Sequence, residues 1–200
     1  MSFYRFYKKT LSGFFRLFYR LKVKGKENIP AEGGFMVCCN HIALFDPVML
    51  AIAFPQQLHF MVKTEAMNSK AGKMLKSLGC FGVKRGTADR AALRTAMEFL
   101  NNGECLGVFP QGTRKPGVDP KTTETKTGIA MIAYRTGCDV VPVFIKTKKR
   151  KLKIFSKTRV IIGKPIKNEE LNIKDGTARE YREATDKVFS EICALEETEA

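Results

Sequence analysis

A chain of 200 residues suits one domain and is long enough for one sizeable core. Apolar residues at 44% and charged residues at 28% exclude wholesale disorder. A net charge of +15 points to anionic partners (lipid headgroups, phosphorylated metabolites, acidic carrier proteins or nucleic acid) without choosing among them.

Residues 3–22 carry a helical pattern, with Phe3, Tyr7, Leu11, Phe14, Phe18 and Leu21 on one face and Arg5, Lys9, Arg16 and Arg20 opposite. An aromatic face against a basic one is expected of a helix lying in a bilayer interface; the plainer alternative is a helix packed on its own domain. Residues 1–24 are therefore expected to be an amphipathic membrane-interface helix and 25–200 the domain proper. Charges interrupt the apolar N-terminus too often for a secretory signal, and no uncharged run approaches the ~20 residues of a spanning helix.

Strands and helices then alternate. Strands are expected at Phe35–Cys39, Leu58–Lys63, Cys80–Lys84, Cys105–Phe109, Val140–Ile145 and Arg159–Ile162. Helices are expected from Asp46, as cap before Pro47, to about Phe54, and over Ser69–Leu78, Asp89–Asn101 and Lys126–Arg135. A last helix places Tyr181, Thr185, Val188, Ile192 and Leu195 on one stripe. This alternation predicts an α/β fold: a single domain with a mixed, mainly parallel sheet flanked by helices.

Residues 146–153 hold six Lys or Arg in eight positions, read by default as a solvated loop or hairpin. A nucleic-acid patch there would carry interleaved aromatics, and the run has none. A third reading has it facing the same anionic surface as the N-terminal helix. The six cysteines lack CxxC spacing and sit among apolar residues, as small buried hydrophobes in a reducing compartment.

The focal motif is Asn40-His41-Ile42-Ala43-Leu44-Phe45-Asp46. On a continuous helix the His and Asp would lie about 140° apart and could not meet. Between a strand and the Pro47 helix start, the segment is expected to turn and bring Asp46 onto the imidazole, fixing its tautomer. The other histidine, His59, falls inside an apolar strand and reads as structural. Arg85 follows a second strand, and Phe109-Pro110-Gln111-Gly112-Thr113-Arg114 follows a third. Ligands of open α/β sheets bind beyond the carboxyl ends of strands, so one His and two Arg there suit an anionic substrate and a general base.

With these motifs in view, the sequence resembles the glycerolipid acyltransferase family, in particular its 1-acyl-sn-glycerol-3-phosphate acyltransferases. The NHxxxxD box matches Asn40, His41 and Asp46; a glycine-to-arginine box matches Gly79, Phe81 and Arg85. The FPEGTR box matches Phe109, Pro110, Gly112, Thr113 and Arg114, and a hydrophobic-Pro box matches Val141, Pro142 and Val143. Gln111 stands where the family usually has Glu, and Ala43 where it often has Ser. The resemblance covers about residues 20–165. It implies His41 and Asp46 as catalytic residues, and Asn40, Lys63, Arg85, Gln111, Gly112, Thr113 and Arg114 as substrate-binding residues. Gly112 and Thr113 would shape the turn and offer backbone N–H groups to a phosphate or oxyanion. It implies transfer of an acyl group from acyl-CoA or acyl-carrier protein to lysophosphatidic acid, giving phosphatidic acid, with no metal and no cofactor. Partners would be membrane lipids and the thioester donor, not nucleic acid, at the cytoplasmic face of a membrane. The alternatives are another lyso-lipid acceptor or a non-catalytic basic membrane-binding protein.

Overall fold

The computed structural model describes residues 3–84 and 89–198. The chain order is α1 (Phe3–Phe18), β1 (Leu21–Lys24), β2 (Met36–Cys39), α2 (Asp46–Ala53), β3 (Leu58–Lys63), α3 (Thr64–Met67), α4 (Gly72–Ser77) and β4 (Cys80–Val83). It continues through α5 (Arg90–Asn101), β5 (Cys105–Val108), α6 (Gly128–Thr136), β6 (Val140–Thr147), β7 (Thr158–Ile162) and α7 (Ala178–Ala194). Among the described residues, seven strands form one sheet in the order β1-β7-β6-β2-β5-β3-β4. Every pairing is parallel except β6 with β7, which run antiparallel. The expected mixed, mainly parallel α/β sheet is what the chain forms.

Local chemistry sets the element ends. Asp89 caps α5 by accepting from the Ala92 N–H. Thr177 and Glu180 form a capping box on α7, where the N–H groups of Thr177 and Lys174 hold the Glu180 carboxyl down to about 2. The central strands β2 and β5 are buried along their whole length and are continuous apolar runs, as a parallel sheet covered on both faces requires.

Two layers cover the sheet. On one face α5, α6 and α7 contribute Ala96, Leu100, Ile129, Ile132, Val188 and Ile192 to a buried cluster. On the other, α2 contributes Met49 and Leu50, α1 contributes Phe15, and Tyr19 follows from just past its end. The chain leaves β2 toward β3 on one side, and leaves β5 to cross over β2 toward β6 on the other. Loops leaving two neighbouring strands in opposite directions open a crevice at the strand ends.

The N-terminus differs from the single 3–22 helix expected from its pattern. The helix stops at Phe18, Arg20 takes a left-handed φ of 46°, and Leu21–Lys24 pairs with β7 as an edge strand. Alternating Leu21 and Val23 belong to a strand period that an aromatic helical stripe masks. The helix also buries one face: Phe15 stacks on Tyr19 with ring centroids 5.0 Å apart, and both join the core. Phe14 and Leu17 remain exposed. The predicted interface residues Phe3, Arg5 and Tyr7 have side chains outside the described residues. Helix α1 is thus packed on its own domain along one stripe and presents a second stripe outward. Replacing Phe15 by Ala should cost about 3–5 kcal/mol in urea unfolding, whereas Leu17→Ala should stay within about 0.5 kcal/mol.

Candidate active site

His41 and Asp46 meet as the motif predicts. β2 ends at Cys39, and the chain turns before α2 starts at Asp46. His41 Nδ1 lies 2.7 Å from Asp46 Oδ2. The same oxygen accepts the N–H groups of Ile42 at 2.6 Å and Ala43 at 2.8 Å. Asp46 is 0% exposed, so these donors replace the water that Oδ2 has lost, while Oδ1 is buried without a partner among the described residues. Asp46 was expected to cap α2, but it accepts no helix N–H and folds back onto the preceding turn instead. The carboxylate fixes the Nδ1–H tautomer and leaves Nε2 for the cavity that His41 lines. Phe109 stacks on the imidazole at 4.1 Å, restricting the ring's rotation.

The loop after β5 holds the peptide of His41 on both sides. Gln111 Oε1 accepts the His41 N–H at 2.8 Å, and the Lys115 N–H donates to the His41 carbonyl at 2.7 Å. Gln111 Nε2 in turn donates to Thr123 Oγ1, whose own hydroxyl donates to the Pro120 carbonyl. Both ends of the Gln111 amide are therefore engaged inside the protein, and the residue is 5% exposed. In this structure it is a strut beneath the histidine.

Asn40 is engaged inside the protein in the same way. Its amide accepts from the Ile145 N–H and donates to the Ile145 carbonyl, tying the end of β2 to β6. Gly112 lines the cavity but donates its N–H to the Phe109 carbonyl, so that group is not offered to a ligand. Its φ of 65° is the left-handed conformation that turns the loop. Thr113 is exposed in the same turn. Lys63, at the end of β3, and Arg114 both line the cavity. Arg85 lies outside the described residues.

The cavity has a volume of about 770 Å³. Its wall is apolar, with Val48, Ile52, Phe60, Leu75, Leu78 and Ile132 among the lining residues. Gly107 in β5 makes room for one of them: a Cβ there would lie 2.1 Å from the Phe60 ring. Lys126 also lines the cavity and was missed from sequence. It lies two residues before α6, where its N–H bonds the Pro110 carbonyl, and nothing in its local sequence separates it from other surface lysines.

His59 is structural, as its strand context suggested: it contacts the Gly79 carbonyl and Glu104 and stacks on Phe99. The cysteines are all unpaired thiols, and burial pushes Cys39 far above and Cys80 up to about 11, which removes them as nucleophiles. Among the described residues no cluster of three His, Cys, Asp or Glu side chains could hold a metal ion.

An acyltransferase family model matches residues 20–146, more than half the chain and all of the dyad and its clamp. The chain belongs to the acyltransferase family. It is 32% identical over 167 residues to a 1-acyl-sn-glycerol-3-phosphate acyltransferase of Bacillus subtilis, a match covering 82% of each chain. It is 30% identical over 127 residues to an enzyme of the same name from Borreliella burgdorferi, covering 62% of this chain and half of that one. Its fold is similar to the crystal structure of the 1-acyl-sn-glycerophosphate (LPA) acyltransferase PlsC from Thermotoga maritima, with TM-score 0.74 and 27% identity over 98% of this chain and 81% of that chain.

Within this acyltransferase the dyad can take a proton from a hydroxyl at Nε2 while Asp46 stabilises the imidazolium that forms. His41→Ala should lower kcat by about 10²- to 10⁴-fold with an unchanged thermal melt. Gln111→Ala leaves the buried His41 N–H unpaired, a loss of about 1–3 kcal/mol in stability. It should also lower kcat more than it raises the acceptor KM. A change confined to that KM would return Gln111 to substrate contact.

Proposed function

We propose that this acyltransferase moves a fatty acyl group from acyl-CoA or acyl-carrier protein to the free hydroxyl of 1-acyl-sn-glycerol-3-phosphate, giving phosphatidic acid. The observation that carries this reading is a His-Asp dyad on a deep apolar cavity lined also by Lys63, Arg114 and Lys126. An amphiphile with a phosphate head needs both parts: an apolar wall for the hydrocarbon and cations for the head. The names of the Bacillus and Thermotoga relatives support the same substrate.

His41 Nε2 takes the proton of the acceptor hydroxyl as its oxygen attacks the thioester carbonyl carbon. The tetrahedral adduct collapses, the C–S bond breaks, and the imidazolium returns the proton to the departing thiolate. The products are an ester and a free thiol, with no covalent enzyme intermediate. The acceptor's glycerol phosphate sits at Arg114 and Lys126, with Lys63 adding positive charge; the resemblance assigns Arg85, outside the described residues, to the same substrate. Gly112 and Thr113 set the turn that carries Arg114 to the rim.

The acceptor is an amphiphile whose acyl chain stays in the bilayer, so the protein works as a peripheral or monotopic enzyme at the cytoplasmic face. The outward stripe of α1, with Phe14 and Leu17 beside Arg16 and Arg20, supports that placement. No described helix is long and apolar enough to cross a membrane.

The deciding experiment is an acyl-transfer assay of the purified protein with lysophosphatidic acid, using acyl-CoA and acyl-carrier protein as separate donors. Arg114→Ala should raise the KM for lysophosphatidic acid by roughly 10- to 100-fold, the loss of one charge-assisted hydrogen bond, and leave the donor KM in place. Equal turnover of a lyso-lipid without phosphate would move the acceptor to another class.

A further inference from the structure

The basic run forms the connection between β6 and β7, an antiparallel hairpin whose long loop spans residues 148–157. Its tip is not purely polar. Ile154 is 57% exposed and Phe155 68% exposed, and both side chains line a groove of about 550 Å³ with Lys148, Lys153 and Lys157. Lys149 and Lys151 are exposed as well. Arg150 points the other way, toward Asp119 and Glu196, and anchors the base of the loop.

The loop is held in this shape. Lys149, Arg150 and Phe155 adopt left-handed φ values of 58°, 52° and 61°, a conformation that costs free energy in residues other than Gly and Asn. The Phe155 N–H donates to the Phe18 carbonyl at 2.6 Å. Its ring lies 5.9 Å from that of Phe18 at the end of α1. From there a continuous line of rings runs to the active site: Phe18 to Phe14 at 4.7 Å, Phe14 to Phe15 at 5.6 Å, and Phe15 to Phe45 at 5.7 Å. Phe45 lines the cavity and immediately precedes Asp46.

We propose that the 148–157 loop is a second membrane-contact element, which inserts Ile154 and Phe155 into an anionic bilayer beside α1 while its lysines meet the headgroups. Two large apolar side chains fixed outward inside a ring of lysines match the chemistry of an interface: hydrocarbon below, negative charge at its surface. Two contacts, helix and loop, also fix the tilt of the domain, which one helix cannot do. Together they set the mouth at Phe45 against the surface from which the acceptor arrives. This orientation rests on the function proposed above; the membrane contact itself does not.

The chain contains no tryptophan, so Phe155→Trp supplies a single reporter. With vesicles rich in phosphatidylglycerol its emission should shift to the blue, and with phosphatidylcholine vesicles it should shift little. The double variant Ile154→Ser/Phe155→Ser should lose about tenfold or more in vesicle partition. Lys148→Gln/Lys153→Gln/Lys157→Gln should lose roughly 100-fold on anionic vesicles and little on phosphatidylcholine. All three variants should keep the parental circular dichroism and the parental transfer rate to a short-chain, water-soluble lysophosphatidate. Vesicle binding without a blue shift, or loop variants that sediment like the parent, would overturn the proposal and leave the enzymatic reading intact. Retention by RNA with no vesicle partition would also overturn it. Vesicle binding that falls in the variants of a protein with no transferase activity would keep the membrane element and refute the enzyme assignment.

Discussion

The site depends on one constraint: the peptide of His41 is buried, and both its N–H and its carbonyl must be paired. A single loop does this, through Gln111 Oε1 on one side and the Lys115 N–H on the other. The two segments come from neighbouring strands. β2 and β5 pair in parallel with Met36 opposite Leu106 and Cys38 opposite Val108, so their ends emerge side by side. Asn40 fixes the third neighbour by pairing with the Ile145 backbone. The imidazole therefore inherits its position from the register of three strands, β5, β2 and β6. A general base needs placement within a fraction of an ångström, and a rigid sheet provides it better than a free loop.

Much of this was legible in the sequence because the signals were periodic or punctuated. Long apolar runs marked the parallel strands, and Asp89 marked the start of a helix that it caps. The His-Asp meeting followed from the Pro47 helix start. What was not legible was the direction in which side chains point. Asn40 and Gln111 belong to motif boxes whose polar residues suggest substrate contact, yet both turn inward to satisfy backbone groups more than 60 residues away in sequence. Lys126 faces the cavity only because the loop before α6 folds back on Pro110. Each of these depends on contacts that have no local signature.

The high net charge also acquires a location. Lysines and arginines line the cavity at positions 63, 114 and 126, they flank the outward stripe of α1, and they surround the tip of the 148–157 loop. Negative charge is placed where it does structural work instead: Asp46 under the imidazole, and Asp119 and Glu196 at the base of the loop. Cations at these positions attract an anionic partner over a range of about 10 Å at ordinary ionic strength.

Gln111 acquires a physical explanation within the same network. The hydroxyl of Thr123 gives its proton to the Pro120 carbonyl, so its oxygen faces Gln111 as an acceptor. An amide fits this polarity: its carbonyl takes the His41 N–H, and its NH₂ meets the Thr123 oxygen. A carboxylate at 111, the residue the family box usually carries, would keep the first bond but set a negative oxygen against the Thr123 lone pairs. Thr123 would have to turn its hydroxyl toward the carboxylate and release Pro120. The departure at position 111 is therefore matched to position 123. It removes a charge from behind the histidine without loosening the clamp, and it leaves Asp46 as the carboxylate that accepts the Nδ1–H hydrogen bond of the imidazole. The position of the imidazole is set by Asp46 and the strand register, and a neutral strut at 111 keeps it there.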